Sequence, residues 1–183
     1  LRLNPDFGAV YTDLGAALAR LGRFEEAEAA FRTAIRLLPA DSLPPYNLGL
    51  TLAALGRQQP AIDAFLAALR LRPDFADAYN DLGVALKGQG QVEEAIALYR
   101  QALVINPEFA DAHFNLANGL AGLGQRSGAL EHYRQAVELR PHSAFYRAML
   151  GIELAEQGRL TEAVEHFVAD AVAHRFGDVS NTD

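Results

Sequence analysis

The chain reads PDFADAYNDLGVALKGQG from Pro73 and PEFADAHFNLANGLAGLG from Pro107, 34 residues further on. Pro5, Pro39, Pro73, Pro107 and Pro141 keep the same interval. If each repeat is numbered from the third residue after its proline, Gly8 is position 1 of repeat one. Position 7 is then Leu14, Leu48, Leu82, Leu116 and Leu150, and position 11 is Leu18, Leu52, Leu86, Leu120 and Leu154. Position 15 is Gly22, Gly56, Gly90, Gly124 and Gly158, position 20 is always alanine, and position 24 is Phe31, Phe65, Tyr99, Tyr133 and Phe167. Such a recurrence constrains the fold more than any local propensity. Each unit must be the same supersecondary piece, and the pieces must pack in series.

The physics of one unit follows from its apolar spacing. Positions 4, 7, 8 and 11 make one helical stripe, and positions 20, 24, 27 and 28 make another. The glycine between them suits a helix end in the left-handed region, where a Cβ would be strained. The proline closes the second helix, because it lacks an N–H and restricts the residue before it. Position 8 is small in every repeat (Gly15, Gly49, Gly83, Ala117, Gly151), which lets the two helices approach while the aromatic at position 24 fills the space beside them. One such hairpin cannot bury its own stripe, so the array is the folding unit.

The pattern Tyr79-x2-Leu82-Gly83-x2-Leu86, then Ala95-x3-Tyr99, then Pro107, closely resembles the tetratricopeptide repeat. The resemblance covers about residues 1–175. It implies an all-α fold, an α-solenoid in which helix-turn-helix repeats wind into a right-handed superhelix with a concave inner groove. The expected repeats are residues 8–41, 42–75, 76–109, 110–143 and an atypical 144–175, followed by a flexible tail over 176–183. Residues 1–7 match the tail of a preceding repeat, since Leu1-Arg2-Leu3-Asn4-Pro5 parallels Leu103-Val104-Ile105-Asn106-Pro107. The expectation is a piece of a longer array. In the last repeat the alanine of position 27 gives way to Asp170 and the closing proline to Arg175, so another repeat of the same kind is not expected to cover it.

Composition removes several partners. Net charge is −7 and the pI near 5.2, which argues against a nucleic-acid backbone or an anionic membrane surface. There is no cysteine, hence no disulfide framework or thiolate metal site. No apolar run reaches the length of a spanning helix and LRLNP is no leader, so a cytoplasmic location is expected.

Positions 2, 5, 6, 9, 12 and 13 of each first helix lie opposite the core stripe. The resemblance implies that they line the groove, where family members hold extended peptides or partner helices. Asn47, Asn80, Asn115 and Asn118 would offer amides, which can pair with a peptide backbone whatever its side chains. Asparagine at position 6 resembles the ladder in the superhelix of protein O-GlcNAc transferase; here Asp13 and Asp81 alternate with Asn47 and Asn115. Asp13, Asp77, Asp81, Asp111 and Glu156 are opposed on this face only by Arg20 and Lys87. The basic clamp by which chaperone-adaptor relatives hold acidic C-termini is therefore missing, and a neutral, basic or apolar protein or peptide is the expected partner. Phe145, Met149 and Ile152 form an apolar strip in repeat five, Leu43, Tyr46 and Leu50 another in repeat two, and Phe114 joins the aromatic candidates.

Catalytic chemistry is weakly signalled. Glu25-Glu26 and Glu93-Glu94 are adjacent on a helix, so they do not face each other, and they suit the start of the second helix. Glu162, His166, Asp170 and His174 recur every four residues, and two histidines with a carboxylate, His166, Asp170 and His174, could take Zn²⁺ or Ni²⁺; each four-residue step rotates about 40° around a helix, so all four cannot converge, and a solvated helix face is the expected reading. No nucleophile elbow, phosphate loop or metalloprotease motif is present. The reading is a non-enzyme without cofactor that binds a protein or peptide in its groove. The alternatives are a homo-oligomer formed through uncovered array ends, and a substrate-recognition arm of a larger glycosyltransferase-like enzyme.

Overall fold

The computed structural model describes the backbone of residues 5–177 and the side chains of residues 7–168; among these are ten α-helices and no strand. The helices are α1 (Pro5–Arg20), α2 (Phe24–Leu37), α3 (Leu43–Ala54), α4 (Gln58–Leu71), α5 (Ala76–Gly88), α6 (Val92–Ile105), α7 (Ala110–Gly122), α8 (Arg126–Leu139), α9 (Ala144–Glu156) and α10 (Leu160–Gly177). Each repeat contributes two. The chain divides into two compact units, residues 1–106 with α1 to α6 and residues 107–183 with α7 to α10.

Every turn within a hairpin is built the same way. Arg57 N–H donates to the Leu52 carbonyl at 2.9 Å and Gly56 N–H to that of Ala53 at 2.9 Å. Those two bonds satisfy carbonyls that the end of α3 would leave unpaired. They require Gly56 to take φ +72°, and the other four position-15 glycines also have positive φ. Second helices begin with acidic residues in α2 and α6, where Glu25, Glu26, Glu93 and Glu94 meet the positive end of the helix dipole.

In the first unit, α1 packs on α2, α3 on α4 and α5 on α6; α2 then packs on α3 and α4 on α5. First helices also touch in series, α1 with α3 and α3 with α5. Its core joins Leu18, Ala27, Phe31, Leu48, Leu52, Ala61, Phe65, Phe75 and Leu82. The second unit repeats the scheme, α7 on α8, α8 on α9 and α9 on α10. Leu14 departs from expectation. Its position puts it in the core stripe, yet it is exposed, whereas Leu48 and Leu82 are buried. A first helix is covered by the second helix of the repeat before it, and α1 is the first helix described. The tail expected over residues 1–7 falls largely outside the described residues; α1 is helical from Pro5.

Candidate functional site

The candidate site is the face that the first helices present, taken separately in each unit. In the first unit it carries Asp13, Tyr46, Asn47, Asp77, Asn80 and Asp81. Tyr46 and Asp81 join neighbouring repeats. The Tyr46 hydroxyl donates to Asp81 Oδ2 at 2.8 Å, and its ring lies 4.5 Å from that of Phe75 and 6.0 Å from that of Phe65. Burial and the nearby Asp81 carboxylate push the Tyr46 hydroxyl far above its ordinary range, so it stays a donor. Asn80 Nδ2 donates to the other oxygen, Asp81 Oδ1, at 3.1 Å. Asn80 is buried, which corrects its assignment as an amide offered to a ligand. Asp13 and Asp77 are exposed and Asn47 is half-buried.

Between α1 and α3 the same face holds a cleft of about 310 Å³ lined by Ala16, Arg20, Asn47, Leu50 and Thr51. Thr51 is buried and returns its hydroxyl to the Asn47 carbonyl at 2.8 Å, leaving the Asn47 side chain at the cleft wall. Leu50 and Val84 are exposed on this face. Lys87, one of the two opposing cations, is half-buried, and burial lowers its pKa.

In the second unit the face gathers Asp111, Phe114, Asn115, Asn118, Phe145 and Met149. Phe114 is the centre of an aromatic cluster, 5.0 Å from Phe145, 5.1 Å from Tyr146 and 5.8 Å from Tyr133 between ring centroids. Phe145 and Ile152 are exposed, and Met149 lies half-buried between them. Asp111 is not a free carboxylate. Arg140 grips it through both terminal nitrogens at 3.1 and 2.9 Å, and the Tyr146 hydroxyl also donates to it. Burial and that hydrogen bond push the Tyr146 pKa up to about 12. Glu156 is likewise paired with Arg126, which also reaches the buried Glu153 at 3.2 Å. The expected excess of negative charge is therefore corrected in this unit. Arg126 and Arg140 come from the two ends of the second helix, where a reading confined to first helices does not look.

Position 24 is a tyrosine in repeats three and four, Tyr99 and Tyr133. In repeat four, the Tyr133 hydroxyl donates to Asn118 Oδ1 at 2.7 Å, with its pKa pushed up to about 12 by burial. In repeat three the residue equivalent to Asn118 is Val84, and the Tyr99 hydroxyl is fully buried without a hydrogen-bond partner. A buried hydroxyl left unpaired costs stability, whereas removing it is close to neutral. Tyr99→Phe should leave unfolding free energy unchanged or raised, while Tyr133→Phe should lower it by about 1 kcal/mol. Urea denaturation of the two variants checks this ordering.

Sequence reasoning also missed a histidine pair. His113 Nδ1 lies 3.0 Å from His132 Nδ1, and His113 Nε2 lies 2.9 Å from the Pro107 carbonyl oxygen. Because a carbonyl only accepts, Nε2 carries a hydrogen; in neutral His113, Nδ1 then accepts from His132. Among the described residues no group of three or more metal-binding side chains converges. His166 is described and half-buried, but the side chains of its expected companions, Asp170 and His174, lie outside the described residues. No described helix is long and apolar enough to cross a membrane.

Family models described as TPR repeat match residues 49–90 and 86–124, and models described as tetratricopeptide repeat match residues 8–41, 110–143 and 144–168. No curated protein matches the chain. Among solved structures, MamA from Desulfovibrio magneticus RS-1 is 26% identical, with 97% of this chain and 98% of that one aligned at a TM-score of 0.80. A thermophilic TPR protein from Thermus thermophilus is 28% identical over 88% of this chain and 89% of its own, with a TM-score of 0.70. YrrB, described as a TPR protein with an unusual peptide-binding site, shares the fold at 23% identity and a TM-score of 0.69, over 92% of this chain and 86% of that one.

Proposed function

We infer that this chain, which belongs to the tetratricopeptide repeat family, is a non-enzymatic protein-interaction scaffold whose first-helix faces hold an extended peptide or a partner helix. One observation carries the reading. On that face apolar side chains stand uncovered: Leu50 lines one cleft with Asn47 in the first unit, and Phe145 and Ile152 are exposed in the second. Uncovered apolar groups on a soluble surface favour contact, and amides beside them fix a backbone in register. In the first unit Asp13 and Asp77 favour a basic residue in the ligand. In the second, Asp111 is already paired with Arg140, and Phe114, Phe145 and Met149 favour an apolar one. The same fold carries a peptide-binding site in YrrB.

A peptide array tests this. Leu50→Asp and Phe145→Asp change exposed side chains and should leave the fold intact. Each should weaken retained peptides about tenfold or more, the equivalent of losing one desolvated apolar contact. Leu66→Asp, exposed on the second helix α4, should change nothing. Hits indifferent to both face variants, or lost in the Leu66 control, would remove the first-helix face from the assignment.

A further inference from the structure

Repeat four departs from its neighbours at one pair of positions. In repeats one to three, positions 4 and 23 are Tyr11 and Ala30, Pro45 and Ala64, and Tyr79 and Leu98; in repeat four they are His113 and His132. The two imidazoles meet where α7 packs on α8. His113 Nδ1 stands 3.0 Å from His132 Nδ1, with ring centroids 5.2 Å apart and the planes inclined by 34°. His113 is buried and His132 half-buried. Position 4 belongs to the core stripe, so the pair lies apart from the residues assigned to the ligand-binding face.

Three features of the pair suit a metal ion. The first is its outer bond. His113 Nε2 is committed to the Pro107 carbonyl at 2.9 Å, which turns the Nδ1 lone pair of the neutral ring toward its companion. A ligating imidazole commonly gives its other N–H to such a carbonyl, and that bond fixes its tautomer and direction. The second is preorganisation. Both rings stand on helices already packed together, so little ordering remains to be done when an ion arrives. The third is spacing. With bonds of about 2.0 Å, nitrogens 3.0 Å apart subtend nearly a right angle at the ion, whereas tetrahedral zinc wants them about 3.3 Å apart. A right angle between nitrogen donors is that of a square-planar ion, and Cu(II) is also the divalent ion such donors hold most tightly.

We propose that His113 and His132 bind Cu(II) through their Nδ1 atoms as adjacent ligands, with water completing the coordination. Water is required because no group of three or more metal-binding side chains converges among the described residues. The ion takes the place of the hydrogen between the rings. In the neutral pair that hydrogen sits on His132 Nδ1; it leaves to solvent while His132 Nε2 takes one up, so the ion enters with no net release of protons and no change of oxidation state. Half-buried His132 is the side from which ion and water reach the pair. Since the ion ties α7 to α8 only in the folded chain, it stabilises the fold.

Electron paramagnetic resonance of the 183-residue chain with one equivalent of Cu(II) provides the test. The parent should show an axial copper spectrum with spin-echo modulation from two imidazoles, and its thermal midpoint should rise on adding Cu(II). His113→Tyr and His132→Leu install the residues that repeat three carries at these positions, Tyr79 and Leu98, so both variants should fold. Each should lose the two-ring modulation and bind Cu(II) about tenfold or more weakly in competition with a chelator. His142→Ala and His166→Ala alter the other histidines whose side chains are described, and should change neither reading. A parent spectrum with one imidazole or none, a His132→Leu chain that holds Cu(II) as tightly as the parent, or binding that is lost in His142→Ala or His166→Ala would each overturn the proposal.

Discussion

Phe65→Ala should lower the unfolding free energy by about 4 kcal/mol, the cost of losing a buried aromatic ring and leaving a cavity that helices fixed on several sides only partly fill. The ring is fully buried, lies 6.0 Å from Tyr46 and closes over Gly49, where an added Cβ would come within 2.6 Å of it. It packs on Gly49 and Tyr46 of its own hairpin and belongs to the core cluster that also holds Phe75, Ala78 and Leu82, so its loss loosens that shared core. The control sits at the same repeat position. Phe167→Ala removes the same side chain from α10, where it keeps the contact with Gly151 but is partly exposed, and should cost less than half as much. Chemical denaturation of both variants gives the comparison. Equal losses would mean that burial at the repeat joint does not set the energy of position 24.

Gly83→Leu should cost about 3 kcal/mol through overpacking. A Cβ at Gly83 would stand 2.6 Å from the Tyr99 ring, and that ring is fully buried, so it has no free space to retreat into. Two effects compete here. Leucine is the better helix former by nearly 1 kcal/mol, but a whole side chain driven into a closed contact outweighs that gain. Repeat four shows where the balance lies: Ala117 occupies the equivalent place and is buried beside helix α8, so one carbon can be accommodated when the rest of the repeat is built around it. A thermal midpoint at or above that of the parent would show that the joint between α5 and α6 is looser than its contacts indicate.

The repeat pattern made the hairpins legible because helix ends and turns depend on nearby residues. A glycine at position 15 and a proline at position 32 report the local backbone, and the helices begin and end around them. Exposure was less legible, since it depends on what lies across a joint. Leu14 and Leu82 carry the same pattern, yet one is bare and the other buried. Position 5 lies off the core stripe, which puts Asn80 on the ligand face in a helical projection. On a helix turning about 100° per residue, however, position 5 stands only about 60° from the small residue at position 8, close enough for a neighbouring element to cover it. The pairing of Asp111 with Arg140, and of Glu156 with Arg126, joins residues 29 and 30 positions apart on different helices, which a helical projection cannot bring together.

When His113 is neutral, the two imidazoles of repeat four form a directed chain, with His132 giving a hydrogen to His113 and His113 giving one to the carbonyl of Pro107. Bonds arranged head to tail polarise one another, so each is stronger while the other persists. The loop ahead of α7 and the middle of α8 are thereby tethered through a single relay, and the worth of either ring has no meaning apart from its companion.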